Sequence, residues 1–507
     1  MVKMNRTYLE IETNPSAVDL SNIPVTGYDI FYNEVTGLLK DTSNHCVSYF
    51  GIEDGSLIKF ICLIADDSTG RIKAFSFTSE RKSSVKSLTE VCRGMHIFER
   101  EIHENLGFDF EGHPWLKPVR YPFNRKNSEE VMDNYPFYTI EGEELHEVGV
   151  GPIHAGVIEP GHFRFICNGE KVLHLEIQLG YQHRGVEYLL SGGLSPLQRC
   201  VMSESIAGDT SVGHCLAHVQ AVESLSGIEP VEKLQVERSI ALELERIAIH
   251  IGDTAALCGD VAYQLGQAVC EALRTSIINR TQDWCGNRFG KGLIRPGGTN
   301  YPLTESVLDS VLATIDDTCR KYAEITDRIY SIPSVLARFE DIGIVTTVQA
   351  SDIGAVGMAA RTCGIPRDIR RSHPFQYFKK YNINPVILNT GDVLARARLR
   401  ELEVAESIKT VKDLASIWKG LEGEPGKPVY PEKMKPGMMA VSLVEGWRGE
   451  ICHSALTDSS GNISYYKVKD PSFHNWMALA LAVRNQEISD FPVCNKSFNL
   501  SYCGNDL

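Results

Sequence analysis

No two of the fourteen cysteines in this 507-residue chain stand closer than nine residues apart, so it contains no CxxC pair. That absence excludes a local thiolate clamp for zinc or an iron–sulfur cluster. The cysteines are expected to be free thiols of a reducing compartment, most of them small buried hydrophobes. There is no run of about 20 uncharged apolar residues able to cross a bilayer; the greasiest stretch, Trp476–Val483, stops at Arg484. The start, MVKMNRTYLEIETN, lacks the apolar core of a secretion signal. The chain is therefore expected to be soluble, or at most peripheral on a membrane. No GxGxxG, P-loop or GxSxG motif is present, which leaves nucleotide binding and serine hydrolysis without support. Cations are short as well. Lys and Arg number 51 against 65 Asp and Glu, a net charge of −14, and nucleic acid is disfavoured as a partner because phosphate neutralisation needs clustered positive charge.

What remains is an ordinary globular balance, 43% hydrophobic and 23% charged, in a length suited to roughly two to four domains. Gly55–Ala65 and Arg71–Thr78 alternate in strand fashion around Asp66–Gly70 and predict a β-hairpin. Ser84–His96 and Phe98–Leu106 read as helical. Asn124–Asn134 is polar and charged, as a linker is. Short strands are expected at Gly161–Cys167 and Lys171–Gln178, and a helical pattern from Val186 to about Ala337. Within it, Leu234–Thr254 has apolar residues on a 3.6-residue repeat with Glu/Arg pairs assigned to the wet face. Asp392–Asp413 predicts another long helix, and strands return from Met439. The fold class is α+β, with no internal repeat.

Local constellations are individually weak. His214 and His218 in HCLAH would share one side of a helix, but Cys215 stands where HExxH needs its glutamate; ordinary helix histidines are the plainer reading. Gly180–Glu187 (GYQHRGVE) sets His183 and Arg184 between glycines, a cationic edge for an anion, a carbonyl or a partner carboxylate. Arg367, Arg370 and Arg371 form either a solvated face or a fixed loop. Glu159 in IEPGHFRF is an acid in an apolar context, where burial raises a carboxyl pKa and suits proton relay.

Taken in order, the segments are specific. Phe98–Pro122 (FEREIHENLGFDFEGHPWLKPVRYP) resembles the small hydrophilic C-type component of complex I. From Gly151 the chain is similar to the large subunit of energy-converting [NiFe] hydrogenases and to its relative, the D-type component of complex I. The pieces that carry this are GPIHAGVIEPGHFRF (151–165), GYQHRGVE (180–187), ELERIAIH (243–250), RTCGIPRDIRRSHP (361–374), GDVLARARLR (391–400), EGWRGE (445–450) and KVKDPSFHNW (467–476). A fusion of both parts is the arrangement of formate hydrogenlyase and hydrogenase-4 large subunits. The resemblance implies a small α/β, complex I C-type domain over 1–123 and a linker over 124–140. A mainly helical domain of the hydrogenase-large-subunit and complex I D type, with a β-rich base, is implied over 141–507.

In such hydrogenases two CxxC pairs hold nickel and iron through soft thiolates. The positions that match them here are Ala207 and Thr210, and Ser501 and Gly504; Cys503 and Cys215 are out of register. The resemblance therefore implies a lost Ni–Fe site and no cofactor bound by this chain. The quinone-holding tyrosine and histidine of the D-type component fall on Gly208 and Ile158, while Glu159 matches the hydrogenase glutamate that is a proton-transfer candidate. Ala207, Asp209, Thr210, Ser501 and Cys503 are expected to line one cleft, with Asp209 a second proton-transfer candidate or simply the N-cap of a helix starting near Ser211. His183, Arg184 and Arg370 are expected at the interface with a partner carrying an iron–sulfur cluster. The function implied is that of a peripheral-arm subunit that couples electron transfer to ion movement, at the cytoplasmic face of the membrane. Its expected partners are a small iron–sulfur subunit, a ferredoxin-like subunit and membrane antiporter-like subunits. The alternatives are a quinone-reducing NADH-quinone oxidoreductase chain of the C/D type and a redox-inactive structural subunit.

Overall fold

The computed structural model describes residues 7–154 and 158–507. Residues 155–157, inside the segment quoted at 151–165, lie outside the described residues.

Strands Leu57–Asp66 and Arg71–Glu80 pair antiparallel with Ala65 opposite Ile72, the expected hairpin. Asn44–Asp54 adds a third long strand and the short strands Leu9–Ile11 and Val25–Thr26 complete the sheet. Eight consecutive residues from Asn44 are buried, because both faces of this sheet are covered. On one face Phe31, Tyr49, Phe60, Phe75 and Phe77 join Phe98 and Phe108 beneath the helices Tyr28–Leu38 and His96–Leu106. On the other, Val47, Phe50, Ile61 and Leu63 belong to the core of the rest of the chain. Ser84–His96 is not a helix: it holds the strand Ser84–Lys86 and a 3-10 turn at Arg93–Met95, and the α-helix begins only at His96. In its first turn Glu99, whose buried carboxylate accepts from Leu88 N at 2.8 Å and Thr89 Oγ1 at 2.6 Å, pins the preceding loop.

Beyond the irregular stretch after Pro122, strands Leu145–Val150, His162–Asn168 and Lys171–Gln178 form an antiparallel sheet. Long helices Glu232–Asp260, Gln264–Cys285, Glu305–Ile329 and Val393–Gly420 make a bundle. The Glu/Arg pairs of Glu232–Asp260 do not lie on a wet face. Glu237, Arg238, Glu243 and Arg246 are all buried, because this helix is wrapped on every side and its charges meet partners from other elements. Arg238 donates to Glu223 at 2.7 and 3.1 Å, Trp418 Nε1 donates to Glu237 at 3.0 Å, and Arg370 donates to Glu243 at 2.9 Å.

A third sheet, in the order Ile463–Lys469, Glu450–Thr457, Met438–Glu445, Ser16–Asp19, takes its outer strand from the N-terminal part of the chain. Helix Ser211–Ser226 lies against it with 14 of its 16 residues buried, so its polar side chains must find partners inside. Among the described residues no helix is long and apolar enough to cross a membrane.

Candidate functional site

Two segments that the sequence sets about 300 residues apart close on one another. Ala207–Thr210 precedes helix Ser211–Ser226; Asn499–Ser501 leads into the short helix Tyr502–Asp506. Arginines bind them together. Arg184 donates to Ser205 O at 2.6 Å, to Ile206 O at 2.8 Å and to Cys503 O at 2.9 Å. Arg448 donates to both oxygens of Asp209 at 2.7 Å and to Asn499 O at 2.6 Å, and its guanidinium lies 4.0 Å from the Trp447 ring centroid.

Each position marked by the sequence has a definite surrounding. Ala207 is fully buried and its carbonyl accepts from Thr210 N. Thr210 Oγ1 sits between Asp209 at 3.2 Å and Arg448 at 3.3 Å. Ser501 is an N-cap, its Oγ accepting from Gly504 N at 2.8 Å and lying 3.4 Å from Cys503 Sγ. A Cβ on Gly504 would stand 2.7 Å from Asp470 Oδ2 and 2.8 Å from Ser501 Oγ, so any side chain there collides with atoms already fixed. Burial and the neighbouring Glu159 push the Cys503 thiol up to about 12, leaving it protonated.

Asp209 does not cap the following helix. The cap residue is Thr210, without a side-chain hydrogen bond, and the first free N–H groups, Val212 and Gly213, donate to Glu245 at 2.7 and 3.2 Å. Glu245, from the neighbouring long helix, is raised to about 8 by burial first, against these hydrogen bonds. Asp209 is instead committed to Arg448, half of a bidentate charge-assisted pair.

His183 Nδ1 lies 2.7 Å from Asp506 O, and burial lowers its pKa. Arg184 is exposed, with both terminal nitrogens already donating to the carbonyls of Ser205, Ile206 and Cys503. Arg370, expected at an interface, is buried within this chain: it is 4% exposed, paired at 2.7 Å with Asp368 and at 2.9 Å with Glu243. The buried carboxylates of the bundle outbid the surface for its charge.

Beside the two segments opens a cavity of about 540 Å³. Phe163, Phe165, Phe491 and Leu500 make its apolar wall; Glu159, Asp209, Arg448, Asp260 and Lys496 give it polar corners. Burial raises the Asp260 carboxyl above its ordinary range. Apolar walls with a few polar groups at the corners suit a small amphiphilic molecule. Among the described residues, no three His, Cys, Asp or Glu side chains are grouped so as to hold a metal ion.

The model of the respiratory-chain NADH dehydrogenase 30 kDa subunit matches residues 31–126, and that of the 49 kDa subunit matches residues 260–434. The chain joins both complex I subunit types in one polypeptide. This fused 30/49 kDa-type chain is 29% identical over 360 residues to the carbon monoxide-induced hydrogenase of Rhodospirillum rubrum, covering 70% of this chain and 97% of that one. It is 26% identical over 380 residues to formate hydrogenlyase subunit 5 of Escherichia coli (74% and 65%). It is also 25% identical over 434 residues to the fused C/D-type NADH-quinone oxidoreductase chain of Phocaeicola vulgatus (77% and 80%). The chain spans just under two thirds of the E. coli relative's length. These relatives are subunits of oxidoreductase complexes, both hydrogenase and quinone-reducing.

Sequence reasoning on the fused chain missed Arg448, Asp470, Asp260 and Lys496. Arg448 was in view within EGWRGE, but its role depends on Asp209, which no local spacing connects to it. Asp470 precedes Pro471 in KVKDPSFHNW, and only the fold sets it behind Gly504.

Proposed function

We propose that this chain is a peripheral-arm subunit of a membrane-bound complex-I-like, hydrogenase-related oxidoreductase, that it works without a Ni–Fe centre, and that its cavity receives a quinone-like organic electron acceptor. A Ni–Fe centre does not fit the residues present. Ala207, Thr210, Ser501 and Gly504 offer a methyl, two hydroxyls and no side chain where soft thiolates are required, and Asp470 and Ser501 close the approach at Gly504. The observation that carries the acceptor is the aromatic-walled cavity of about 540 Å³ whose lining includes Asp209, Leu500 and Tyr502, the chain neighbours of Thr210 and Ser501. A quinone-like ring would pack on Ile158, Ile488 and Phe491, backed by Phe163 and Phe165, its carbonyl oxygens within the field of the Asp209–Arg448 pair and of Lys496. Glu159 and Asp260 supply carboxyls for the protons that accompany reduction.

In this reading residues 1–123 and 141–507 are the two subunit-like domains. Electrons arrive from an iron–sulfur cluster on a small partner subunit, a ferredoxin-like subunit feeds that cluster, and antiporter-like membrane subunits use the released energy to move ions. The chain lies on the cytoplasmic face of the membrane. The test is made on the purified complex. Metal analysis is expected to find no stoichiometric nickel, and a short-chain quinone analogue is expected to bind and to bind less tightly to Phe165→Ala and Glu159→Gln. One nickel per chain, or no analogue binding, overturns the reading. Electron flux indifferent to Glu159→Gln and Asp209→Asn would leave a structural subunit that joins the arm to the membrane.

A further inference from the structure

Behind the former ligand positions runs a continuous line of buried polar side chains. Asp470 Oδ2 lies 3.0 Å from His214 Nε2; His214 Nδ1 lies 3.2 Å from His453 Nε2; His453 Nδ1 lies 2.9 Å from Tyr466 Oη; and Tyr466 Oη lies 2.8 Å from His218 Nδ1. All five residues are at most 2% exposed. Three elements supply them: helix Ser211–Ser226, strand Glu450–Thr457 and strand Ile463–Lys469 with the residue that follows it. HCLAH is thus explained without a metal. The four-residue spacing puts both histidines on the face turned to the sheet, where His453 and Tyr466 stand between them.

The hydrogen count gives the line a direction. A neutral imidazole carries one N–H and one acceptor nitrogen, and a phenol carries one O–H. Burial holds His453 well below the usual imidazole range and His218 down to about 3, so both are neutral. Burial works against ionisation of Asp470, but His214 and Arg448 keep its carboxyl low, so it is an acceptor. With His214 neutral as well, its Nε2 donates to Asp470, His453 Nε2 to His214, Tyr466 to His453, and His218 Nδ1 to Tyr466. Every hydrogen points the same way.

We infer that Asp470, His214, His453, Tyr466 and His218 form a proton relay whose resting hydrogen bonds are set to deliver a proton to Asp470, beside Gly504. One proton bonds to His218 Nε2, and His218 Nδ1 gives its hydrogen to Tyr466. Tyr466 gives its own to His453 Nδ1, His453 Nε2 gives its hydrogen to His214 Nδ1, and His214 Nε2 gives its hydrogen to Asp470. One proton enters, one appears on the carboxyl, and no electron moves; the three imidazoles are left in the opposite tautomers, and the line returns to its starting tautomers before a second proton passes. Gly504 matters here because its missing side chain leaves Asp470 and Ser501 facing the same small space, with Cys503 and Glu159 beyond Ser501 on the cavity side. The relay rests on the proposed acceptor only for the proton's final destination; its arrangement stands apart from it.

The test has two arms. In the full-length chain labelled with 15N at histidine, two-bond N–H correlations read each ring's tautomer. His214 and His453 are expected to carry hydrogen on Nε2 and His218 on Nδ1; hydrogen on Nδ1 of both His453 and His218 breaks the line at Tyr466 and overturns the relay. In the assembled complex, Tyr466→Phe keeps the ring and removes only the hydroxyl. It is expected to lower kcat for quinone-analogue reduction by at least about tenfold with KM unchanged, and to enlarge the solvent deuterium isotope effect on kcat. An unchanged rate, or a loss that leaves the isotope effect unmoved, overturns the relay. If the unaltered complex binds and reduces no quinone analogue, the reading of the cavity fails instead, and the tautomers decide the relay.

Discussion

Single residues decide what this site can be. Gly504 is confined by Asp470 and Ser501, and overpacking a closed site costs about 1–3 kcal/mol. Gly504→Ala is therefore expected to lower the unfolding free energy by that amount, and the denaturant midpoint with it, while Cys503→Ala, at a half-buried neighbour, changes both little. Glu450 is a second such residue. Burial opposes its charge, but Lys469 and His45, whose Nε2 lies 2.5 Å away, hold its carboxyl well below the ordinary range. A carboxyl whose pKa falls on folding contributes stability in full above its unfolded value, about 4.3, and loses it as pH falls through the folded value. Glu450→Gln is thus expected to be less stable than the unaltered chain at pH 7 and to lose less stability between pH 5 and pH 3. Denaturant titrations at each pH measure this, and an equal acid slope in both proteins would contradict it.

At the scale of elements, the chain's N-terminal part is pinned to a sheet made largely from its C-terminal part. Asn14 is 3% exposed; its Nδ2 donates to His373 O at 2.7 Å and Leu443 O at 2.9 Å, and its Oδ1 accepts from Leu443 N at 2.8 Å. Asn14→Ala leaves buried backbone groups unpaired, at about 1–3 kcal/mol, and is expected to make residues 7–19 cleavable by protease under conditions where the unaltered chain resists. This element was illegible in the sequence because its partner strand is remote. The hairpin Leu57–Asp66/Arg71–Glu80 was legible, since its alternation and its turn are local. The long helices were legible too, but not which way they face: Glu243 and Arg246 look solvated until Arg370 and Glu403 arrive from other helices. The site followed the same rule. The positions of Ala207, Thr210, Ser501 and Gly504 could be read by aligning patterns. The cavity could not, because its wall is drawn at once from Phe163 and Phe165, from Asp209 and Asp260, from Arg448, and from Phe491 and Leu500.

For the whole molecule, the seam between the first sheet and the rest is a true core. Phe50 stacks on Tyr465 with ring centroids 5.1 Å apart, and Lys467 reaches Glu101 at 2.5 Å across it. The two subunit-like parts are accordingly expected to unfold together. Phe50→Ala should remove about 3–5 kcal/mol and lower one shared transition, seen alike by tryptophan fluorescence and by far-ultraviolet circular dichroism. Separate transitions would show that the seam is weak.

The strand Ser16–Asp19 carries a last consequence. Its neighbourhood is tied to residues 429 positions further along, so during synthesis the ribosome releases it long before its partner exists. That strand stays unpaired until Met438–Glu445 has been made. Splitting the gene into two cistrons would turn this last closure from an intramolecular event into a bimolecular one, governed by concentration rather than by tether length.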